Sequence, residues 1–184
     1  LRELYMALRE ESMVGQIARS LAGISDISLD DAGNLIAGDT RLGEGVEVRN
    51  SVLIDAVVDS GRIVDSVLIG SRVGKIAAER AFDLHSFVPE LRLEPGAGAY
   101  KVVSSRAQRL AAGERLTTVF LDKGDVQLRI HEDTDLRDRE NTYDQPIGDN
   151  PLSFAEAHRQ VLECDPEELQ RRREAARAEV IATL

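Results

Sequence analysis

Aliphatic residues return at nearly every sixth position between residues 36 and 76. Neither common secondary structure explains this spacing, because a strand alternates with a period of two and a helix repeats every 3.6 residues. A short strand followed by a tight bend, repeated along the chain, does produce it. The pattern therefore predicts a coil of short strands whose leading aliphatic residues stack from one coil to the next.

Six aliphatic residues lead these hexads and are expected to point into the core: Ile36, Leu42, Val48, Ile54, Ile63 and Ile69. The longer step from Ile54 to Ile63 predicts a small loop or bulge at residues 59–62. Burial of each side chain contributes about 1.5 to 3 kcal/mol. A polar substitution at Ile54 is therefore expected to unfold the domain, whereas one at Arg49 or Arg72 is expected to have little effect.

The segments on either side of the hexads have different patterns. Residues 1–22 have the apolar spacing of an amphipathic helix, which Gly15 can interrupt and Gly23 can terminate. After residue 76 the period is lost, and we expect a second kind of β structure up to residue 150. It includes strands around the Pro-Gly turn at Pro95 and a hairpin at residues 115–130.

Two helices close the chain. Ser153 with Glu156 forms a capping box for the first, and Asp165 followed by Pro166 starts the second. The predicted fold class is mainly β with flanking helices: a short left-handed parallel β-helix followed by a small α+β element. The predicted divisions are a connecting helix (1–23), a hexapeptide-repeat β-helix (24–76) and an α+β C-terminal region with terminal helices (77–184).

Composition excludes several function classes. The formal net charge of −10 argues against non-specific nucleic-acid binding, which depends on cationic contacts to phosphates. No apolar run approaches the roughly 20 residues of a membrane span, so we expect a cytoplasmic protein without a membrane partner. A single cysteine, Cys164, excludes an internal disulfide. The chain begins with Leu1 inside an uncapped helical pattern, and we expect a piece of a longer protein.

The hexads resemble a known family at "LGEGVEVRNSVLI" and "SVLIGSRVG", with recurring Asn50-Ser51-Val52 and Asp65-Ser66-Val67 steps. They are similar to the left-handed β-helix that follows the catalytic domain in bacterial sugar-1-phosphate nucleotidyltransferases of the ADP-glucose pyrophosphorylase and mannose-1-phosphate guanylyltransferase-like types. The resemblance covers residues 24–76. It implies a non-catalytic C-terminal domain that serves assembly, support or regulation.

By the same resemblance, the parent enzyme would join a nucleoside triphosphate to a sugar 1-phosphate with release of pyrophosphate, using Mg²⁺. The partners implied are the catalytic domain of that parent and further copies of the chain. Nothing in the sequence matches the family's glycine-rich catalytic loop, and phosphoryl chemistry depends on such groups. We therefore assign no catalytic residue, and the chain alone is expected to have no such activity.

Two other functions remain open. A hexapeptide-repeat acyltransferase would need a histidine as general base, for which His85 is the candidate. A pure protein-interaction module would self-associate through exposed coil ends, because unpaired strand edges attract further strands.

Local motifs add candidates for ligand binding. Lys101, Arg106, Arg109 and Arg115 are the candidate residues of an anion site for a phosphorylated metabolite, weighed against an ordinary solvated surface. The Gly-x-Gly in Pro95–Lys101 suggests a phosphate held on backbone amides, or simply a turn between strands.

No metal site is predicted. The acidic residues Asp133, Asp135, Asp138 and Asp144 are weighed as oxygen ligands, but they lack the glycine and terminal glutamate of an EF-hand loop. The three histidines are too far apart in sequence for a zinc site.

Overall fold

A computed structural model describes residues 2–22 and 29–184 of the chain. Most of it is a parallel β-solenoid of about six turns. The helices are α1 (Arg2–Met6), a 3₁₀ turn (Ala7–Arg9), α2 (Met13–Ala22), a π-type turn (Arg139–Tyr143), α3 (Phe154–Glu163) and α4 (Pro166–Ile181). Within the described ranges, no helix combines the length and apolar character needed to cross a bilayer.

In the part of the chain that the structure describes, thirteen strands form two sheets. They are β1 (Leu35–Ala37), β2 (Arg41–Leu42), β3 (Glu47–Arg49), β4 (Val52–Ile54), β5 (Val57–Val64), β6 (Val67–Ile69), β7 (Arg72–Glu79), β8 (Phe82–Leu84), β9 (Phe87–Leu93), β10 (Gly98–Tyr100), β11 (Gln108–Leu110), β12 (Glu114–Leu121) and β13 (Gly124–His131). The first sheet has the order β1-β4-β6-β8-β10-β12-β13, and the second is built on β11-β9-β7-β5-β2, with β3 also paired to β5.

One turn of the solenoid takes 15 residues in its regular part, because Val52 pairs with Val67 and Val67 with Phe82. Each such coil has a three-residue strand in the first sheet and one long strand in the second. The long strands bend around a corner: one end of β5 pairs with β2 and the other end with β3. Each coil therefore has three faces around a common core.

The core of the regular coils has a period of five. Every fifth residue from Leu53 to Val73 is fully buried in the main hydrophobic cluster: Leu53, Val58, Ile63, Leu68 and Val73. Ala78, Val88 and Leu93 continue the same series. A spacing of five places one inward aliphatic residue on each face of a 15-residue coil. The six-residue spacing holds only in the first coil, where Ile36, Leu42 and Val48 pair with Leu53, Val58 and Ile63.

Two of the six expected core positions are wrong. Ile54 and Ile69 are half-buried on the outer side of the first sheet, and the inward residues are the preceding Leu53 and Leu68. The long step to Ile63 thus needs no inserted loop, and residues 59–62 lie within the continuous strand β5. The error arises because all three residues of β4 and β6 are aliphatic. Since both faces of this sheet are covered, hydrophobicity alone cannot distinguish inside from outside.

Exposure at the first coil also differs from expectation. Ile36 and Leu42 occupy inward registers, yet they are 43% and 36% exposed, because no earlier coil lies over them among the described residues. Ile63, by contrast, is completely buried and confirms its predicted place.

Buried serines and left-handed corner residues explain the recurring Asn-Ser-Val and Asp-Ser-Val steps. The Ser51 hydroxyl accepts a hydrogen bond from the Ser66 amide at 3.1 Å, and the Ser66 hydroxyl accepts one from the Ala81 amide at the same distance. Asn50 donates its side-chain amide to the Asp65 carboxylate one coil away. These steps satisfy buried backbone amides at the corner. They are folding signals.

The parallel coils continue past residue 76, where we expected the β-helix to end. Strands β8, β9 and β10 pair with their equivalents one coil away. We expected β9 and β10 to pair around a turn at Pro95, but they lie in different sheets. The hexad pattern disappears here because charged and small residues replace several large aliphatic ones. The predicted hairpin is confirmed: β12 and β13 pair antiparallel across a turn at residues 121–124, and β13 closes the first sheet.

The N-terminal helices cover the outer side of the first sheet. Leu8 is 1% exposed in a second hydrophobic cluster that includes Val52 and Val67. The helical pattern breaks at residues 10–12 and not at Gly15. Gly15 instead faces the preceding turn, where a Cβ atom would clash with the Glu10 carbonyl oxygen. The predicted terminator Gly23 lies outside the described residues.

The C-terminal helices pack back on the solenoid. Helix α3 contacts β12, and α4 contacts both β9 and β12. Both predicted helix starts are confirmed, since Ser153 accepts a hydrogen bond from the Glu156 amide and Asp165 caps α4 with Pro166 in the first turn. In α4, the Arg177 guanidinium lies 4.7 Å from the centre of the Phe87 ring and the Arg173 guanidinium 5.8 Å from that of Phe120, so arginine side chains contribute to this contact.

Candidate functional site

The fourth coil departs from the repeat at three positions within six residues: Arg80, Asp83 and His85. Departures from local rules point to functional positions, because each of them lowers the stability of the fold. The first departure concerns backbone conformation. Two corners of each coil adopt positive φ, a region in which glycine, asparagine and aspartate are least strained.

The corner residues of the first three coils follow this preference. They are Gly33, Asn50 and Asp65 at one corner, and Gly38, Asp55 and Gly70 at the other. The fourth coil has Arg80 (φ 47°) and His85 (φ 57°) at the equivalent corners, and Lys101 (φ 53°) follows His85 in the fifth. Long basic side chains thus replace small residues at strained positions, for which the fold alone gives no reason.

The second departure is Asp83, the middle residue of β8. It occupies the inward register between Leu68 and Ala99 and is completely buried. Neither carboxylate oxygen has a hydrogen-bond partner among the described residues. Burial raises the pKa of Asp83 to about 7, although the nearby hydroxyls of Ser86 and Ser71 act in the opposite direction. Asp83 is therefore a titratable group inside an otherwise apolar column.

Beside the Arg80 corner lies a depression of about 450 Å³, which we call the arginine depression. Its lining residues are Arg2, Glu3, Arg80, Phe82, Pro95, Gly96, Arg115 and Glu132. Three guanidinium groups and two carboxylates line it, so it is net positive in a chain whose net charge is −10. Arg2 comes from α1, Arg80 and Phe82 from the fourth coil, and Arg115 from β12.

The floor of this depression is built by stacking. The Phe82 ring lies over Gly98, where a Cβ atom would clash with the ring. The Arg115 guanidinium lies 5.1 Å from the centre of the same ring, as in a cation–π contact. Arg115 also donates to the Gly96 carbonyl oxygen and pairs with Glu132 at 2.9 Å. These contacts fix the Arg115 side chain before any ligand arrives.

His85 occupies the opposite corner. Its ring sits over Gly70, where a side chain would collide with it. Burial lowers the pKa of His85, and the charges of Arg177 and Lys101 lower it further. A histidine with a lowered pKa is neutral over a wider pH range and can accept a proton. The acyltransferase interpretation of His85 stays a prediction.

The four predicted anion-site residues are distributed over different surfaces. Arg106 lines a 350 Å³ cavity against α4, whereas Arg115 lines the arginine depression. Arg109 pairs with Glu94 at 3.6 Å, and the Lys101 ammonium lies 4.8 Å from the ring of the preceding tyrosine. The structure instead places Arg115 beside Arg2 and Arg80, which sequence reasoning missed. In the sequence, residue 80 is unusual only once the five-residue period is known, because that period defines the corner positions.

Two backbone amides of the Gly-x-Gly segment, those of Gly96 and Ala97, already have internal acceptors and are not available to the suggested phosphate cradle. The Gly96 amide donates to the Arg80 carbonyl oxygen at 2.9 Å, and the Ala97 amide donates to the Glu94 carbonyl oxygen at 2.9 Å. Gly96 serves as a left-handed corner (φ 80°).

The acidic segment after β13 is occupied by local contacts. Asp135 pairs with Arg137 at 3.0 Å, and Asp138 accepts hydrogen bonds from the Asn141 side chain. In the described part of the chain, no three His, Cys, Asp or Glu side chains are grouped so that they could hold a metal ion. Cys164 is buried at the end of α3 and donates to the Gln160 carbonyl oxygen.

No family model matches this chain. Searches of curated proteins and of solved structures also find no match. The likeness of the hexads to the nucleotidyltransferase β-helix therefore rests on the residues quoted above.

A second surface of interest lies on α2. This helix packs against the preceding turn through Gly15, and Ala18 on the same helix is also buried. Three of its large apolar residues face away: Met13 is 76% exposed, Val14 57% and Ile17 55%. We call these three residues the α2 face. An amphipathic helix normally buries such a face, so its exposure is typical of a surface that meets another protein.

Proposed function

We propose that this chain is an assembly and support domain, whose α2 face joins it to a second copy of itself. The observation that supports this is the inverted packing of α2, which buries small residues and leaves Met13, Val14 and Ile17 exposed. Burial of an apolar side chain contributes about 1.5 to 3 kcal/mol. Covering this face therefore supplies a driving force for association.

The contact between the two copies would rest on the apolar α2 face. The Arg19 guanidinium, in the last turn of α2, already donates to the carbonyl oxygens of Leu8 and Glu10 in the same chain. In a two-fold symmetric contact each surface meets its own equivalent, so Met13, Val14 and Ile17 of one copy would pack against the same residues of the other.

The solenoid would act as a rigid platform in this role. Its coils are joined by ladder hydrogen bonds and by a continuous stacked core, so each coil is held by its neighbours. By the resemblance of the Asn-Ser-Val steps, we further propose that the platform belongs to a sugar-1-phosphate nucleotidyltransferase-like enzyme, with synthesis of a nucleotide sugar in its catalytic domain.

Light scattering on the purified chain tests the assembly proposal. We expect the wild type to have twice the mass of one chain, and Ile17→Glu to have the mass of a single chain, because the substitution buries a charge in the contact. Leu162→Glu is the matched control: Leu162 is 73% exposed on α3, far from α2 in the sequence, and this variant should remain a dimer. A monomeric wild type, or a dimer that survives Ile17→Glu, would contradict the proposal.

A further inference from the structure

We propose that the arginine depression binds a phosphate-bearing small molecule. This inference goes beyond assembly and does not depend on it. The first argument is charge. Arg2 pairs with Glu3, and Arg115 pairs with Glu132, so both carboxylates lining the depression already have counterions. The third cation, Arg80, has no hydrogen bond or ion pair from its guanidinium among the described residues. Its guanidinium therefore has no internal partner that competes with a ligand.

The second argument is the position of Arg80. It occupies a left-handed corner where equivalent coils have Asn50, Asp65 or Gly96. An arginine costs more there than any of those residues, because its Cβ crowds the backbone at positive φ. Among the described residues, no hydrogen bond or ion pair of the guanidinium offsets this strain. A ligand that binds the guanidinium would explain why an arginine occupies this strained corner.

The third argument is preorganisation. The Arg115 guanidinium is held by Gly96, Glu132 and the Phe82 ring. Arg2 donates through Nε to the Asp65 carbonyl oxygen at 2.8 Å. These contacts hold two guanidinium groups at the edge of the depression. Part of the entropy cost of ordering long side chains around a ligand is therefore already met.

Phosphate fits this arrangement better than a single carboxylate. Its several oxygens can accept hydrogen bonds from more than one guanidinium, whose planar fork matches phosphate geometry. The volume of about 450 Å³ lies within the range of small-molecule sites and admits a phosphate with a small organic group attached. The Phe82 ring offers an apolar surface to that group.

Calorimetric titration with inorganic phosphate at low ionic strength tests the proposal, with acetate as the comparison anion. We expect the wild type to bind phosphate in the millimolar range and acetate at least about tenfold more weakly. Arg80→Asn should weaken phosphate binding by about tenfold or more. Arg49→Ala removes an exposed arginine from β3, outside the depression, and should bind as the wild type does.

A thermal melt in phosphate-free buffer separates binding from folding. Asparagine suits a left-handed corner, so Arg80→Asn should melt at the wild-type temperature or above it, and Arg80→Gly should behave in the same way. A destabilised Arg80→Gly would assign Arg80 a structural role and overturn the inference. So would absence of phosphate binding by the wild type, or equal binding by Arg80→Asn. Repeating the titration with Ile17→Glu keeps the result independent of dimer formation.

Discussion

Asp83 should make this fold less stable as the pH rises. The carboxyl group is completely buried, and burial raises its pKa from 3.8 to about 7. A group that holds its proton more tightly in the folded state adds no penalty below pH 3.8. The penalty grows as pH rises through the interval up to about 7 and is constant above it. The interval corresponds to about 4 kcal/mol, because each pH unit contributes 1.36 kcal/mol.

Urea unfolding between pH 5 and pH 8 tests this reasoning. Over that range the wild type should lose about 3 kcal/mol more than Asp83→Asn, in which the titrating group is absent. Asp59→Asn, which changes an exposed carboxylate of β5, should retain the wild-type dependence.

Two other groups with shifted pKa values, His85 and Asp125, are present in both proteins. His85 opposes the effect of Asp83, because a lowered pKa makes its contribution grow as pH rises through that pKa towards 6.5. Burial raises the pKa of Asp125, partly offset by Arg172, so its contribution has the same sign as that of Asp83. The difference between wild type and Asp83→Asn cancels both. If the two proteins lose stability in parallel from pH 5 to pH 8, the Asp83 charge is solvated in the fold and the argument fails.

Three further tests of the architecture use urea unfolding. Leu68→Ala should lower the free energy of unfolding by about 2 to 5 kcal/mol, as for other buried leucines, whereas Ile54→Ala on the outer side should lower it by less than half as much. The reverse order would show that the residues at six-residue spacing point inward after all. Gly61→Ala should cost about 3 kcal/mol, because φ is 125° and the new Cβ would clash with the next coil. Gly45→Ala, where φ is 80° and the space is open, should cost about 1 kcal/mol. Equal losses would contradict the close approach of Gly61 to the next coil. Ser153→Ala should cost about 1 kcal/mol through loss of the α3 cap, and an unchanged midpoint would show that the cap contributes nothing.

The sequence predicts the coil because its signal is local and repeated. Short aliphatic strands separated by glycine, asparagine or aspartate specify bends at regular intervals, and the helix caps at Ser153 and Asp165 follow from side-chain chemistry within four residues. The inward register was harder to predict. Covered strands such as Val52–Ile54 are aliphatic at every position, so the choice of Leu53 over Ile54 depends on helices that pack on the outer side.

The candidate site could not be predicted for a different reason. Arg2, Arg80 and Arg115 are far apart along the chain, and they meet only because the fold brings α1, the corner at residue 80 and β12 around one depression. Asp83 could not be predicted for a similar reason, since its burial is evident only after the five-residue period is known. The grouping of Lys101 with Arg106, Arg109 and Arg115 assumed that neighbours in sequence are neighbours in space. In a solenoid, neighbouring residues diverge onto different faces.

The number of coils in the solenoid also sets the distance between residues on different coils. Each coil advances the chain by one strand spacing, about 4.8 Å. Helix α1 is anchored to the corner of Asp65 by Arg2, one coil before Arg80. Inserting a copy of residues 52–66 after residue 66 would preserve the core, the serine ladder and both ends of the fold. Because it would add one coil between the Asp65 corner and Arg80, the insertion would also determine whether the arginines from α1 and from the fourth coil can still reach one ligand.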